Sequence, residues 1–111
     1  EFHRLADLPG AYSAKAGDID QDGDLDIIAV SNLPENVNPR SLRLAEPPSI
    51  VLLEQTGVMQ FTLRVLSRST PRYTSVELGD FDANGKLDFC VGALVLSGSE
   101  AVPRLTFWWQ Q

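Results

Sequence analysis

A single cysteine, Cys90, means that no disulfide can form within this chain. Cys90 lies inside the apolar run Leu87–Val91 and reads as a small buried residue. The one histidine, His3, lies near a terminus and reads as a surface residue. No apolar stretch approaches the roughly 18 residues of a membrane span. The first residues, Glu1-Phe2-His3-Arg4, contain no signal-peptide apolar core, so export would need a signal outside this chain. A basic stripe that could neutralise phosphates is also missing, which argues against nucleic acid as a partner. There is no nucleophile elbow, phosphate-binding glycine loop or metalloprotease motif, and the expectation is that the chain is not an enzyme.

Acid is plentiful but unevenly spread. The net charge is −6, and two nine-residue segments hold eight of the fifteen acids and only one base, Lys86. The remaining residues carry seven acids and eight bases, close to neutral. Charge concentrated in this way points to cations rather than to a generally acidic surface.

Those two segments are Asp18-Ile-Asp-Gln-Asp-Gly-Asp-Leu-Asp26 and Asp80-Phe-Asp-Ala-Asn-Gly-Lys-Leu-Asp88, 62 positions apart. Each runs directly into an apolar strand, and the shared spacing marks an internal repeat. Oxygen-bearing side chains at positions 1, 3, 5 and 9, with glycine at position 6, suit a hard cation. Ca²⁺ takes about six to eight oxygen ligands and tolerates irregular geometry. The expected ligands are Asp18, Asp20, Asp22 and Asp26 with the carbonyl of Asp24, and Asp80, Asp82, Asn84 and Asp88 with the carbonyl of Lys86. Position 7 holds Asp24 in one copy and Lys86 in the other, so only its main chain can be a common ligand. Gly23 and Gly85 take the sharp turn. About two Ca²⁺ ions are expected, with tighter binding at the first loop because it offers more carboxylates.

Three other readings compete. An EF-hand needs glutamate at position 12 and flanking helices, but that position is Ala29 or Val91. Asp22-Gly23 and Asn84-Gly85 are good hairpin turns, yet a bare turn does not explain four oxygens in register twice. Paired carboxylates can serve acid–base chemistry, but no other residues suggest a substrate cleft.

Periodicity gives eight short strands, near 2–6, 12–18, 25–31, 49–55, 60–66, 73–79, 87–95 and 104–110, and no convincing helix. Leu25–Val30 and Leu87–Val91 are apolar on both faces, as strands packed between two sheets should be, whereas Phe61-Thr-Leu-Arg-Val alternates like an outer strand. The chain is long enough for one domain at most, of all-β class.

The phrases Ala16-Gly-Asp-Ile-Asp-Gln-Asp-Gly-Asp-Leu-Asp-Ile-Ile-Ala-Val30 and Leu78-Gly-Asp-Phe-Asp-Ala-Asn-Gly-Lys-Leu-Asp-Phe-Cys-Val-Gly-Ala93 resemble FG-GAP/VCBS repeats. These are the blades of integrin-α-type β-propellers, in which this loop joins a blade's first two strands and binds calcium. Ser49–Gln55 and Arg104–Gln111 also align with each other, at a shift of 55. The family's Phe-Gly and Gly-Ala-Pro signatures are replaced by Ala11-Tyr12 and Ser31-Asn-Leu-Pro34. The resemblance implies four-stranded antiparallel blades. Repeat one, about 12–66, is a complete blade; repeat two, about 73–111, lacks its outer strand; and 2–6 is an orphan outer strand. Two blades cannot close a ring of about four to eight. Further blades on a longer chain, or copies joined head to tail with 2–6 completing the next copy's second blade, are therefore expected.

The function expected is a calcium-binding, non-catalytic interaction scaffold, extracellular, periplasmic or at the cell surface, with a protein partner or further blades. The alternatives are an accessory propeller module of a larger enzyme or redox protein, and a carbohydrate-binding module. Adjacent Trp108 and Trp109 face opposite sides of a strand, one packed between blades and the other open to a ligand. The Pro- and Asn-rich insert 31–49, with Arg40 and Arg43, is the long loop where specificity tends to reside.

Overall fold

The computed structural model describes residues 1–94 and 104–110. β-branched and aromatic residues dominate the segments between the turns, and seven strands form: β1 (Ala11–Gly17), β2 (Asp26–Ser31), β3 (Pro48–Gly57), β4 (Gln60–Arg68), β5 (Tyr73–Gly79), β6 (Asp88–Ala93) and β7 (Leu105–Trp108). They make two antiparallel sheets, β1-β2-β3-β4 and β5-β6-β7. The expected counts of four strands and three are met. Residues 95 and 111, at the ends of expected strands, lie outside the described residues.

Two segments differ from a simple strand map. Residues 1–8 form no strand within the single copy, where the outer strand expected over 2–6 has no neighbouring blade to pair with. A strand needs a ladder to pair with, and this segment crosses the surface of the first sheet instead of lying along a strand edge. A single helical turn, α1 (Ser41–Leu44), also forms within the insert where none was expected. It is too short to show a helical period, and Arg43 Nε donates to the Leu33 carbonyl at 3.1 Å to hold it against the sheet end.

The two sheets repeat each other in register. Gly17 faces Asp26 and Gly79 faces Asp88, and both first hairpins slip register near their far ends, at Ala11/Ser13 and Tyr73/Ser75. In the third strands, Ile27 faces Leu53 and Phe89 faces Trp108, in agreement with the shift of 55.

Alternation along the strands gives each sheet two faces. The front of sheet one carries Ile28, Val30, Ile50 and Leu52; its back carries Ile27, Ala29, Val51 and Leu53. The shared core joins Ile28, Val30 and Ile50 to Val76, Phe89 and Val91. Under the 62-residue repeat, Phe89 and Val91 correspond to Ile27 and Ala29, which lie on the back face. The front of sheet one thus packs on the back of sheet two. This is a head-to-tail stack, not the symmetric meeting of two equivalent faces. Gly17 keeps the approach close, since a Cβ there would lie 2.9 Å from methyl groups of both Leu78 and Leu87.

Candidate cation-binding loops

Both acidic loops join the first two strands of a sheet, and positions 1, 3 and 5 make the same backbone hydrogen bonds in each. Position 1 accepts two backbone N–H groups. Asp18 receives Asp22 N at 3.0 Å and Gly23 N at 3.1 Å, while Asp80 receives Asn84 N at 3.0 Å and Gly85 N at 2.8 Å. Position 3 accepts the N–H of position 5 at 3.2 Å in each copy, Asp20 from Asp22 and Asp82 from Asn84. Position 5 accepts the N–H of position 7, Asp22 from Asp24 at 2.9 Å and Asn84 from Lys86 at 2.8 Å. Such side-chain bonds to nearby backbone are what Asp and Asn offer in turns. Positive φ occurs at Gly23 (94°) and Gly85 (85°), as expected, and also at Gln21 (64°) and Ala83 (60°), which the sequence did not flag.

This folding gathers oxygen atoms. One carboxylate oxygen from each of Asp18, Asp20 and Asp22 lies within 4.8 Å of the others, and so do those of Asp80, Asp82 and Asp88. Each group can hold a metal ion. An ionised carboxylate has about four acceptor sites, so the backbone bonds leave capacity for a cation. The Asp20 carboxyl is pushed above its ordinary value. Desolvation leads, repulsion from Asp26 and Asp22 adds to it, and the backbone N–H of Asp22 opposes.

Position 9 behaves differently from the rest. Asp26 and Asp88 are 0% and 1% exposed, against the half-buried or exposed state of the other loop acids. Asp26 takes Ile19 N at 2.9 Å and Asp20 N at 3.3 Å on one oxygen, and Gln55 N at 3.0 Å on the other. Asp88 repeats this with Phe81 N at 3.0 Å and Gln110 N at 2.8 Å. Each is a clamp that ties the loop's entry to the third strand. Asp26 and Asp24 lie outside the first convergent group, whereas Asp88 belongs to the second. The clamp's partners are backbone groups some 29 and 22 positions away, so no side-chain pattern could have revealed them.

Two further contacts were not legible. Gln21 Nε2 donates to the Gly85 carbonyl at 2.9 Å, so the two loops touch across the sheet stack. Asn84 Nδ2 donates to Asp82 at 3.1 Å and to the Gln110 carbonyl at 2.8 Å, bonds that Asp22 in the first loop has no hydrogen to make.

The other flagged residues are not part of the two acidic groups, although Trp108 and Trp109 lie beside loop residues Ile19 and Leu87. Cys90 is half-buried and free, and His3 lies 3.8 Å from Glu1 at the surface. Trp108 stacks on Phe89 and Trp109 on Phe107, each at 5.6 Å between ring centres. The insert lines a cavity of ≈ 210 Å³ with Tyr12, Arg43 and Arg72, at the end of the sheets opposite the loops. Compared with family models, with curated proteins and with solved structures, the chain matches none.

Proposed function

We propose that the chain is a calcium-binding, non-catalytic scaffold whose two sheets are propeller-type blades. One observation carries the reading. Two loops separated by 62 residues reproduce the same hydrogen-bonded curl and gather acidic oxygens to a point in each. A turn needing only solubility would not repeat its side-chain geometry. The head-to-tail packing of the sheets supports the blade reading, because blades around a ring meet front to back.

In the first loop Asp18, Asp20 and Asp22 would hold the ion with the Asp24 carbonyl, and Asp26 would support it from below. In the second, Asp80, Asp82, Asp88 and the Asn84 side-chain oxygen would serve with the Lys86 carbonyl. A bound cation would relieve the repulsion among the acids and couple occupancy to folding. The resemblance to FG-GAP/VCBS repeats favours a role outside the cytoplasm.

Isothermal titration with Ca²⁺ and, separately, Mg²⁺ tests the proposal. Two Ca²⁺ sites are expected, the tighter abolished by Asp18→Ala and the weaker by Asp80→Ala. Absence of heat on Ca²⁺ addition to the folded chain, or loss of neither site in these variants, refutes it.

A further inference from the structure

The stack leaves two outer faces without a sheet among the described residues: the back of sheet one, which the N-terminal segment crosses, and the front of sheet two. The front of sheet two carries Cys90, Leu105 and Phe107, with Phe81 and Trp109 beside them. Phe107 is 42% exposed and Trp109 53%. The aromatic rings have already organised: Phe81 meets Phe107 edge-on at 5.4 Å, and Phe107 stacks on Trp109. The equivalent positions in sheet one show what such a face takes. Cys90, Leu105 and Phe107 correspond to Ile28, Ile50 and Leu52, and Phe81 corresponds to Ile19. In sheet one all four belong to or pack against the core, covered by the back of sheet two.

We infer that the front of sheet two is a docking surface for the back of sheet one in a second copy of this chain. The occupant follows from the interface already present. The back of sheet two fits the front of sheet one through Val76, Phe89 and Val91. The back of sheet one offers the same strand positions, with Ala14, Ile27 and Ala29 in their places. Its smaller residues leave room for the larger Phe107 and Trp109 rings. Leu63 and Val65, exposed on the same back face, extend the apolar area. Repeating one head-to-tail contact is the heterologous mode of association, which adds copies in sequence.

The N-terminal segment competes for that surface. Leu5, Ala6 and Leu8 lie over Ile27, Val51 and Leu53, with a cavity of ≈ 490 Å³ along the contact. Phe2 is 89% exposed at the end of the segment, while Val51 and Leu53 beneath it are buried. The segment acts as an intramolecular cover that an incoming copy displaces. This inference names a partner for the proposed scaffold but rests on sheet stacking rather than on cation occupancy, so titration and association measurements fail independently.

Sedimentation velocity of the full chain with Ca²⁺ present tests it, at up to about 0.5 mM, well above the micromolar range of weak interfaces. Wild type is expected to associate. Phe107→Asp and Val65→Asp alter exposed residues on opposite faces, and each alone is expected to weaken association by roughly tenfold or more. An equimolar mixture of the two regains association, because one variant keeps an intact back and the other an intact front. Leu5→Asp with Ala6→Asp loosens the cover and strengthens self-association. A monomeric wild type overturns the inference, as does a mixture that fails to associate. Undiminished association of Val65→Asp also overturns it, since that would mean two copies of sheet two meeting front to front. Circular dichroism of each variant confirms that the fold is retained.

Discussion

Replacing Asp26 with alanine is expected to unfold this chain far more readily than replacing any of the exposed loop aspartates, even with no cation present. The buried carboxylate accepts Ile19 N at 2.9 Å and Gln55 N at 3.0 Å. Hydrogen bonds to a charged group contribute about 1.5–3 kcal/mol each, and removing the acceptor leaves donors in a site closed to water. Allowing for some relaxation, the loss is about 3–5 kcal/mol. That is a large part of the roughly 5–15 kcal/mol that holds a domain together. For a chain of this size it lowers the melting temperature by about 13–21 °C. Asp18 also accepts two backbone N–H groups, but in the exposed part of the loop, where water can replace it. Its removal should cost only about 1 kcal/mol in chelator and act mainly on cation binding. Asp26→Asn keeps the size but turns an amide NH₂ toward a backbone donor, so it should fall near the alanine variant. Urea unfolding in chelator, with the slope checked for constancy, reads all three. Equal midpoints for Asp26→Ala and Asp18→Ala would refute the clamp.

Four other outcomes follow from the same geometry. Ile50, fully buried between the sheets, should lose about 2–5 kcal/mol on mutation to alanine, measured by the same unfolding curves. Gly17→Ala forces a Cβ to 2.9 Å from Leu78 and Leu87 and should cost about 1–3 kcal/mol, with weakened cooperativity between the sheets. Gly23→Ala meets no atom within 4 Å, so only its positive φ is strained, for about 1–2 kcal/mol. The fourth concerns pH. Asp20 holds its proton more tightly in the folded chain than in the unfolded one. Its contribution therefore favours folding as pH falls through its raised value and is lost above it. A cation needs the ionised form, so first-loop affinity should fall as the pH is lowered through the raised Asp20 value, visible by calorimetry with proton release. An affinity that rose on acidification would contradict this.

The acidic loops and the strands that follow them were legible because both rest on local chemistry. Alternate aspartates must converge when the chain curls about Gly23 or Gly85, and β2 and β6 announce themselves by unbroken apolar runs. Even the shift of 55 between third strands survived into the pairing of Ile27 with Leu53 and Phe89 with Trp108. What failed to show was decided by distant partners. Residues 2–6 have strand-like composition, but this segment lies over the face of sheet one rather than along an open edge such as that of β7. Asp26 was legible as one more ligand, while its burial depends on Gln55 N arriving from the third strand.

The two-faced apolar character of β6 is the clearest remainder. Phe89 and Val91 meet sheet one, whereas Cys90 and Phe107 on the opposite side meet no sheet in the described residues. A strand whose sequence is apolar on both faces, with a sheet over only one among the described residues, is what the proposed contact with a second copy would complete. In β2 the same pattern is satisfied twice over, by sheet two in front and by the N-terminal segment behind. The difference between β2 and β6 is therefore not one of composition but of position in the stack, and position is what a second copy would change.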